Sequence, residues 1–509
     1  MTEQLALLPD YLTGHLRLTL LALLLAILAS VPLGIVASRV HWLERPILGI
    51  AGVIQTVPGL ALLAVTVPLL AALGMQSIGF LPAIIALTLY GVLPIVRNTV
   101  TGIAGVDPAL VEAAKGVGMT DLQRLRYVDL PTAAPVIVAG IRTATVWIVG
   151  TATLSTPVGA TSLGNYIFSG LQTRDFNAVL VGSAAAAALA LLLDGLVHML
   201  EAGIRTRRRG RVAIALATLL ALCGYTVATL AAEVFRPSER PIVVGAKTFT
   251  EQYILGSVLA GQIERRTGRS TRLLSSLGST VAFDALRSGD IDVYVDYSGT
   301  LWTTILQRTT IPDRTSVLRE VTEVLDREFG VRLIGSLGFE NAYALAVRGA
   351  DADRLGLRRI SDLVPLASTL RIGGDYEFFA RPEWAALGAV YALSFTDRVS
   401  MDPSLMYQAI TLGNVDVISA FSTDGRIAAF DLRVLEDDRG AMPPYDAVIL
   451  ASRRLVDEAP DVMAALASLV NVVDAERMRT MNLSVDRDSR QPGVVAAELL
   501  DEIATRGGR

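Results

Sequence analysis

Cysteine and lysine are scarce in this chain of 509 residues, and each scarcity excludes a kind of site. The one cysteine, Cys223, has no partner for a disulfide within the chain and cannot build a cysteine metal site. The two lysines, Lys115 and Lys247, do not lie in a G-x-x-x-x-G-K-[ST] pattern, so the chain has no nucleotide-binding P-loop. The net charge of −4 is small and gives no indication of a nucleic-acid partner.

Apolar residues make up 52% of the chain and are concentrated in its first half. A membrane-spanning helix needs about 20 mostly apolar residues. Six stretches qualify: about 16–37, 47–73, 79–97, 132–155, 178–200 and 212–233. The first could be a signal peptide, but no A-x-A-like site ends it and five further spans follow. We therefore expect a six-helix membrane domain in residues 1–235, then a polar tether at 236–241.

Positive charge in the loops predicts the orientation of these spans. Three segments between spans carry it: the first loop with Arg39 and Arg45, residues 97–131 with Arg97, Lys115, Arg124 and Arg126, and residues 205–211, which read RTRRRGR. Loops rich in arginine and lysine stay in the cytoplasm. All three lie on that side only if the N-terminus is outside. The sixth span then places residues 242–509 outside the cell, and the protein is expected in the cell membrane.

The loop at 107–131, DPALVEAAKGVGMTDLQRLRYVDLP, is polar and much longer than a turn. Asp107 is a suitable cap for a helix that has Pro108 at its first position. Gly116 and Gly118 should end that helix, and a second one should run to Pro131. Two short helices at about a right angle would project into the cytoplasm. A simple interfacial hairpin is the alternative.

This loop resembles the EAA loop of type I ABC importer permeases. It has Glu112-Ala113-Ala114, then Gly118 after three residues, then Val128-Asp129-Leu130-Pro131 after nine more, with valine where the family has isoleucine. The resemblance implies a coupling helix that docks on a separate cytoplasmic ATPase subunit, which uses the ATP, and a permease homodimer. The docking residues would be Glu112, Ala113, Ala114 and Gly118, whose small side chains allow close approach and whose glycine permits a turn.

The segment that follows, AGIRTATVWIVGTATLSTPVGATSLGNYIFSGLQTRD at 139–175, is similar to permeases for glycine betaine, choline and carnitine. Its small residues suit close packing of membrane helices. Residues 156–177 fall outside in the expected topology. They could form a re-entrant gate or a plain solvated loop, and the pattern leaves both open.

The second half of the chain alternates strand and helix patterns. IVVGA at 242–246 is typical of a strand, 250–266 of a helix, and DIDVYVDY at 290–297 closes the next strand–helix–strand repeat. Such alternation favours an α/β fold with a largely parallel sheet. About 270 residues are enough for two lobes.

Residues 242–452 resemble the binding proteins of the same osmoprotectant importers, including those of ergothioneine type. The pieces that carry the resemblance are GAKTFTEQYILG, DVYVDYSGT, GFENAYALAV, EFFARPEW, VDVISAFSTDGRI and PPYDAV. The resemblance implies a two-lobed, type II binding-protein domain in 242–509. Lobe 1 would comprise about 242–342 and 445–509, and lobe 2 about 343–444.

A quaternary ammonium has no N–H to donate, so electron-rich aromatic faces must hold it, at about 0.5–2 kcal/mol each. Matched to the family motifs, the predicted ligand-binding residues are a cage of Tyr297, Tyr343, Phe421 and Tyr445, with Arg381 for a ligand carboxylate, Thr300, Asn341 at the rim and Gln252 at the start of the first helix beside Glu251. Phe421 stands where the family often has tyrosine. The ring face is kept and a hydroxyl is lost, which leaves the preferred ligand open.

Each of these residues also has a purely structural interpretation. Tyr297 follows an alternating strand and could simply pack in a core, as most buried tyrosines do. Arg381 could pair with Glu377 on the surface. Two further aromatics, Tyr376 and Tyr407, are interpreted as structural. The family resemblance, rather than composition, favours the cage.

The leading hypothesis is ATP-driven import of a quaternary-ammonium solute captured outside: glycine betaine, choline, carnitine or a related betaine such as ergothioneine. A membrane receptor or sensor with an external binding domain is the alternative. Against it, no kinase, cyclase or methyl-accepting region is found, and the chain is expected to end outside. An enzyme is disfavoured because His15, His41 and His198 all lie in or beside spans, which leaves no catalytic or metal constellation in the soluble domain. We expect no cofactor or metal in this chain.

Overall fold

The computed structural model describes residues 2–172, 175–234, 240–308, 312–375, 377–488 and 490–507. Two compact units are distinguished: residues 1–168 with 177–238, and residues 169–176 with 239–509. The first is helical and the second contains two β-sheets.

The helical unit has ten α-helices within the described ranges. They are α1 Thr2–Arg39, α2 His41–Thr56, α3 Gly59–Ala72, α4 Phe80–Ala104, α5 Pro108–Gly116, α6 Asp121–Arg124, α7 Leu130–Ala152, α8 Gly164–Gln172, α9 Phe176–Arg205 and α10 Arg209–Val234. Five described segments are long and apolar enough to cross a membrane: Leu7–Arg39, Phe80–Ala104, Asp121–Val158, Phe176–Arg205 and Arg209–Ala232. The bent pair α2–α3 makes a sixth if it is one span.

The predicted second span at 47–73 is not one continuous helix. Helices α2 and α3 are bent by 100° at the break between them. Pro58 causes this break because it has no N–H to donate and forces the residue before it out of the helical region. Val57 accordingly has extended backbone angles, with φ −69° and ψ 126°.

The loop after α4 folds as predicted at its start and differs at its end. The Asp107 side chain accepts a hydrogen bond from Ala109 N, with Pro108 at the first position of α5. A capping box of Thr120 and Gln123 begins the second helix. That helix does not stop at Pro131, since a π-helical turn at Leu125–Asp129 carries it into α7. In this wider turn Leu130 N–H bonds to Leu125 C=O, and the proline follows at the first turn of α7, where its missing donor costs little.

The segment after α7 is folded rather than solvated. A 3-10 helix at Thr153–Val158 precedes α8. Ser155, Ser162 and Leu163 are fully buried, and Leu163 N donates to His15 Nδ1 of α1 at 3.3 Å. A plain solvated loop is therefore excluded for residues 153–163. Residues 173 and 174 lie outside the described residues.

The second unit is built on two mixed five-stranded sheets. The strands are β1 Ile242–Lys247, β2 Thr271–Leu277, β3 Val293–Tyr297, β4 Arg332–Glu340, β5 Tyr343–Arg348, β6 Arg371–Gly374, β7 Asp397–Ser400, β8 Val417–Phe421, β9 Leu432–Leu435 and β10 Asp446–Ala451. The order is β2-β1-β3-β10-β4 in one sheet and β7-β6-β8-β5-β9 in the other. We call the parts built around these sheets lobe 1 and lobe 2.

The sequence predicted a largely parallel sheet, and this prediction is wrong for one strand in each lobe. In lobe 1, β10 runs antiparallel to β3 and β4, and in lobe 2, β5 runs antiparallel to β8 and β9. The chain enters lobe 2 through β5 and returns to lobe 1 through β10. Each of these two strands therefore runs in the direction opposite to the strands beside it. The chain crosses at residues 341–342 and again between β9 and β10.

Helices cover the sheets of this unit. They are α11 Thr250–Thr267, α12 Ser279–Ser288, α13 Ser298–Thr300, α14 Arg314–Val324, α15 Gly349–Leu355, α16 Ile360–Leu363, α17 Pro382–Tyr391, α18 Pro403–Thr411, α19 Arg426–Ala429, α20 Arg453–Glu458, α21 Pro460–Ala467, α22 Ala475–Asp486 and α23 Pro492–Gly507. Strands β1 and β10 are buried along their whole length and are nearly continuous apolar runs, as expected for strands covered on both faces.

Candidate ligand-binding site

The four predicted cage residues all lie at strand ends where the two sheets meet. Tyr297 ends β3, Tyr343 begins β5, Phe421 ends β8, and Tyr445 directly precedes β10. Tyr343 and Phe421 are cross-strand partners with ring centroids 4.8 Å apart. The Tyr445 ring lies 6.0 Å from Tyr343, almost perpendicular to it. Strand pairing thus brings together residues that are far apart in sequence.

A fifth ring, which the sequence analysis missed, links Tyr297 to this arrangement. Phe249 stacks on Tyr297 at 6.1 Å and on Phe421 at 5.8 Å. The five rings therefore form one continuous set of contacts, which we call the ring series: Tyr297, Phe249, Phe421, Tyr343 and Tyr445. Phe249 lies within the quoted piece GAKTFTEQYILG, directly before α11. An aromatic residue at the start of that helix was the signal available.

The hydroxyl of Tyr297 is held by two neighbouring residues of α11. It donates to Glu251 Oε1 at 2.6 Å and accepts from Gln252 Nε2 at 3.0 Å. Burial, and then the adjacent Glu251, raise the pKa of Tyr297 well above its usual value. The predicted ligand residue Gln252 thus positions this ring. Lys247, paired with Asp296, lies 5.4 Å from the ring centroid.

Glu251 is a buried carboxylate that four different segments contact. It accepts hydrogen bonds from Tyr297, from Asn341 Nδ2 at 3.0 Å, from Thr423 Oγ1 at 2.5 Å and from Asn482 Nδ2 at 3.1 Å. Burial raises its pKa, and these four bonds oppose the rise. Asn341, predicted at the rim of the cage, therefore lies in the crossing between the lobes and bonds to this carboxylate.

Arg381 has features of both interpretations, a ligand-binding arginine and a partner of Glu377. It pairs with Glu377, and its side chain is nevertheless only 10% exposed. The guanidinium carbon lies 5.5 Å from the centroid of Tyr343, against the ring series. Among the described residues its Nε is a buried donor without a hydrogen-bond partner. A planar donor fork beside the rings suits a ligand carboxylate.

Tyr445 is fixed by contacts from both lobes. Its hydroxyl donates to Glu383 of α17, and its ring packs on Gly299, where an added Cβ would come within 2.6 Å of the ring. Burial, and then Glu383, raise the pKa of Tyr445 well above its usual value. The predicted residue Thr300 follows Gly299 and is 6% exposed. Thr300 is assigned to the site only because it adjoins Gly299, which packs on the Tyr445 ring.

Of the two aromatics interpreted as structural, one lies apart from the ring series and the other lies outside the described residues. Tyr407 is fully buried, with the guanidinium carbon of Arg426 at 4.2 Å from its ring centroid. Tyr376 lies outside the described residues.

The four predicted coupling residues differ in exposure. Glu112, Ala113 and Gly118 are exposed, and Gly118 has a φ of +80°, the conformation that favours glycine. Ala114 is only 4% exposed, so within this chain it packs inward. Three apolar side chains that the prediction did not include are exposed instead: Leu110, Val117 and Leu122.

A two-lobed domain with aromatic rings between its lobes, joined in one chain to a helical membrane domain, defines a transporter component that captures its own solute. Residues 240–502 match the family described as the substrate-binding domain of the ABC-type glycine betaine transport system. Residues 30–206 match the inner membrane component of binding-protein-dependent transport systems.

Individual relatives match one or both parts. The ergothioneine transport permease/ergothioneine binding protein EgtU of Helicobacter pylori is 30% identical over 90% of this chain and 83% of its own length. The choline transport permease OpuBB of Bacillus subtilis is 44% identical over 37% of this chain and 83% of its own. The crystal structure of a glycine betaine/carnitine/choline ABC transporter protein is 31% identical, covers 51% of this chain and 98% of its own, and has a TM-score of 0.46.

The chain belongs to the osmoprotectant family of ABC importers, as a member with permease and substrate-binding domain fused. It is a multi-pass membrane protein, and its relatives are transport components. The family implies a separate cytoplasmic ATPase subunit and a small solute as partners.

Proposed function

We propose that the second unit captures a quaternary-ammonium zwitterion and that the helical unit passes it through the membrane. The observation that carries the proposal is the ring series with the Arg381 guanidinium against it. Aromatic faces attract a methylated ammonium, and the guanidinium fork suits a carboxylate. Glycine betaine, carnitine and ergothioneine carry both groups. The Helicobacter pylori relative, which matches 90% of this chain, is named for ergothioneine. Choline has no carboxylate and would not use Arg381.

This assignment is tested by the ligand preference of an Arg381→Gln variant of the full chain in nanodiscs. Calorimetry with ergothioneine, carnitine, glycine betaine and choline should show tighter binding of a betaine than of choline. The variant should bind that betaine about tenfold or more weakly, because a hydrogen bond to a charged group is worth about 1.5–3 kcal/mol. Choline affinity should stay within a few fold. An equal loss for choline would contradict the role of Arg381.

The orientation and assembly of the protein follow from the same proposal. The N-terminus and residues 242–509 would lie outside the cell, because the arginine-rich segment at 205–211 and the loop at 107–131 belong on the cytoplasmic side. Two permease domains would form a homodimer. The chain itself would have no ATPase or other enzymatic activity, and its cytoplasmic loop would dock on the ATPase subunit.

A double variant, Glu112→Ala with Gly118→Ala, tests that docking. Glu112 is exposed on α5, and alanine at Gly118 would strain a φ of +80°. Uptake of radiolabelled betaine into proteoliposomes with the ATPase subunit should fall about tenfold or more, within the usual size of coupling between sites. Ligand binding should be unchanged. Lys115→Ala, on the same helix, is the control, and wild-type uptake by the double variant would contradict the docking site.

A further inference from the structure

Two buried glutamates lie at the two ends of the ring series. Tyr297 at one end donates to Glu251, and Tyr445 at the other end donates to Glu383. Both carboxylates are almost completely buried, with exposed fractions of 2% and 1%. Neither was predicted as a ligand-binding residue, and neither forms a salt bridge within the described part of the chain. Each must be stabilised by hydrogen-bond donors alone.

Each glutamate also bonds to a threonine of the opposite lobe. Glu251 lies on α11 of lobe 1, and Thr423, which donates to it at 2.5 Å, follows β8 of lobe 2. Glu383 lies on α17 of lobe 2, and Thr303 of lobe 1 lies 2.9 Å from its Oε1. The Thr303 hydroxyl is also 2.9 Å from the Gly299 carbonyl, but the carboxylate is the stronger acceptor.

We infer that these two pairs, Glu251–Thr423 and Glu383–Thr303, are latches that couple closure of the lobes to the tyrosines of the ligand site. Each carboxylate accepts from a ring-series hydroxyl and from a threonine hydroxyl of the other lobe, so it makes both bonds only when the lobes are closed. In Glu383 both bonds are made by Oε1, and Oε2 is buried without a partner among the described residues. The inference deepens the proposed function, because it assigns positioning residues to the same site.

The physical reason is the hydration of the carboxylates. In an open domain water hydrates them, whereas in the closed arrangement the threonine and tyrosine hydroxyls must replace that water. A phenol that donates to a carboxylate is also polarised by it, which strengthens its ring as a partner for a cation. Ligand capture and closure thus favour each other. Removing a latch should leave capture possible and make release faster.

The latches are tested by Thr303→Val and Thr423→Val, which delete one hydroxyl each and keep the side-chain shape. Each should raise the dissociation rate of ergothioneine, carnitine or glycine betaine, whichever the full chain binds, by about tenfold, while the association rate changes little. Thr303→Ser should restore the wild-type rate. The matched control is Thr480→Val, because that exposed hydroxyl bonds only to a carbonyl of its own helix. A dissociation rate unchanged in both variants would overturn the inference.

Closure is also measured directly, with one spin label in each lobe. Cysteines replace the exposed Ser288 and Ser368 in a chain that carries Cys223→Ala. The double variant with both valines should have a smaller closed fraction than wild type, with or without added ligand. An equal closed fraction overturns the latches, and so does a wild type that never closes. Failure of all three betaines to bind, with a closed fraction still lowered by the valines, contradicts only the proposed function.

Discussion

Tyr343→Ala should lower the affinity for a betaine by at least about a hundredfold, because a cation–π contact is worth up to about 2 kcal/mol and the neighbouring rings lose their packing partner. Tyr343 contacts Phe421 at 4.8 Å, Tyr445 at 6.0 Å and the Arg381 guanidinium at 5.5 Å. Among the described residues, no other ring of the series packs both on its neighbouring rings and against the Arg381 guanidinium. Its removal therefore disturbs the ammonium and the carboxylate parts of the site together.

Two further variants separate the ring face from the hydroxyl and from burial. Tyr343→Phe should keep the affinity within a few fold, because the hydroxyl makes only a 3.4 Å contact with Asp375. Tyr391→Ala removes a tyrosine that is just as buried but bonds to Asp437, away from the ring series. It should lower thermal stability and leave the affinity of the folded protein unchanged. Calorimetry on the full chain in nanodiscs measures all three. Binding by Tyr343→Ala within tenfold of wild type would contradict a ligand in contact with this ring.

Motif matching could predict four rings because each lies in a piece of the sequence that resembles the family. It could not place Phe249, since its contacts depend on how the chain turns into α11. It also did not assign Glu383 a role. A glutamate on a short helix is usually exposed, and only the approach of Tyr445 and Thr303 makes this one a buried acceptor.

Local breaks in the membrane unit show the same division. The start of α5 was predicted from its Asp107 cap and Pro108. The Thr120 cap of α6 is a signal of the same kind, since its capping box lies within a few residues. The opposite outcomes at Pro58 and Pro131 were not predicted. Both prolines lack a donor, but Pro58 follows an extended residue, whereas Pro131 follows a π-turn that supplies a continuous helix. The sequence alone does not reveal which neighbouring turn absorbs the missing hydrogen bond.

Mixed sheets were missed because strand direction within a lobe depends on where the chain crosses. The strand–helix repeats from 242 to 297 do pair in parallel, as predicted. The antiparallel strands β5 and β10 are the first strands after the two crossings. Their direction is set by the other lobe, which a window of local periodicity does not include.

Asp424→Asn should lower the free energy of unfolding of the binding domain by about 3 kcal/mol, because it leaves a buried guanidinium without its charged partner. Arg426 is 5% exposed in its side chain and makes hydrogen bonds of 2.6–3.1 Å to both carboxylate oxygens of Asp424. Asp486 lies 3.8 Å away and supplies only part of the lost charge. For a domain of this size the melting temperature should fall by roughly 10 °C.

The control is Asp353→Asn, which breaks the pair with Arg433 at 2.9 Å where both side chains are largely exposed. Exposed pairs are worth about 0–1 kcal/mol, so that variant should melt within a few degrees of wild type. Scanning calorimetry of the full chain measures both. Because Asp424 directly follows Thr423, the first variant should also weaken ligand binding. A melting temperature equal to that of Asp353→Asn would show that Asp486 alone balances the buried arginine, and would leave the position of Thr423 independent of this ion pair.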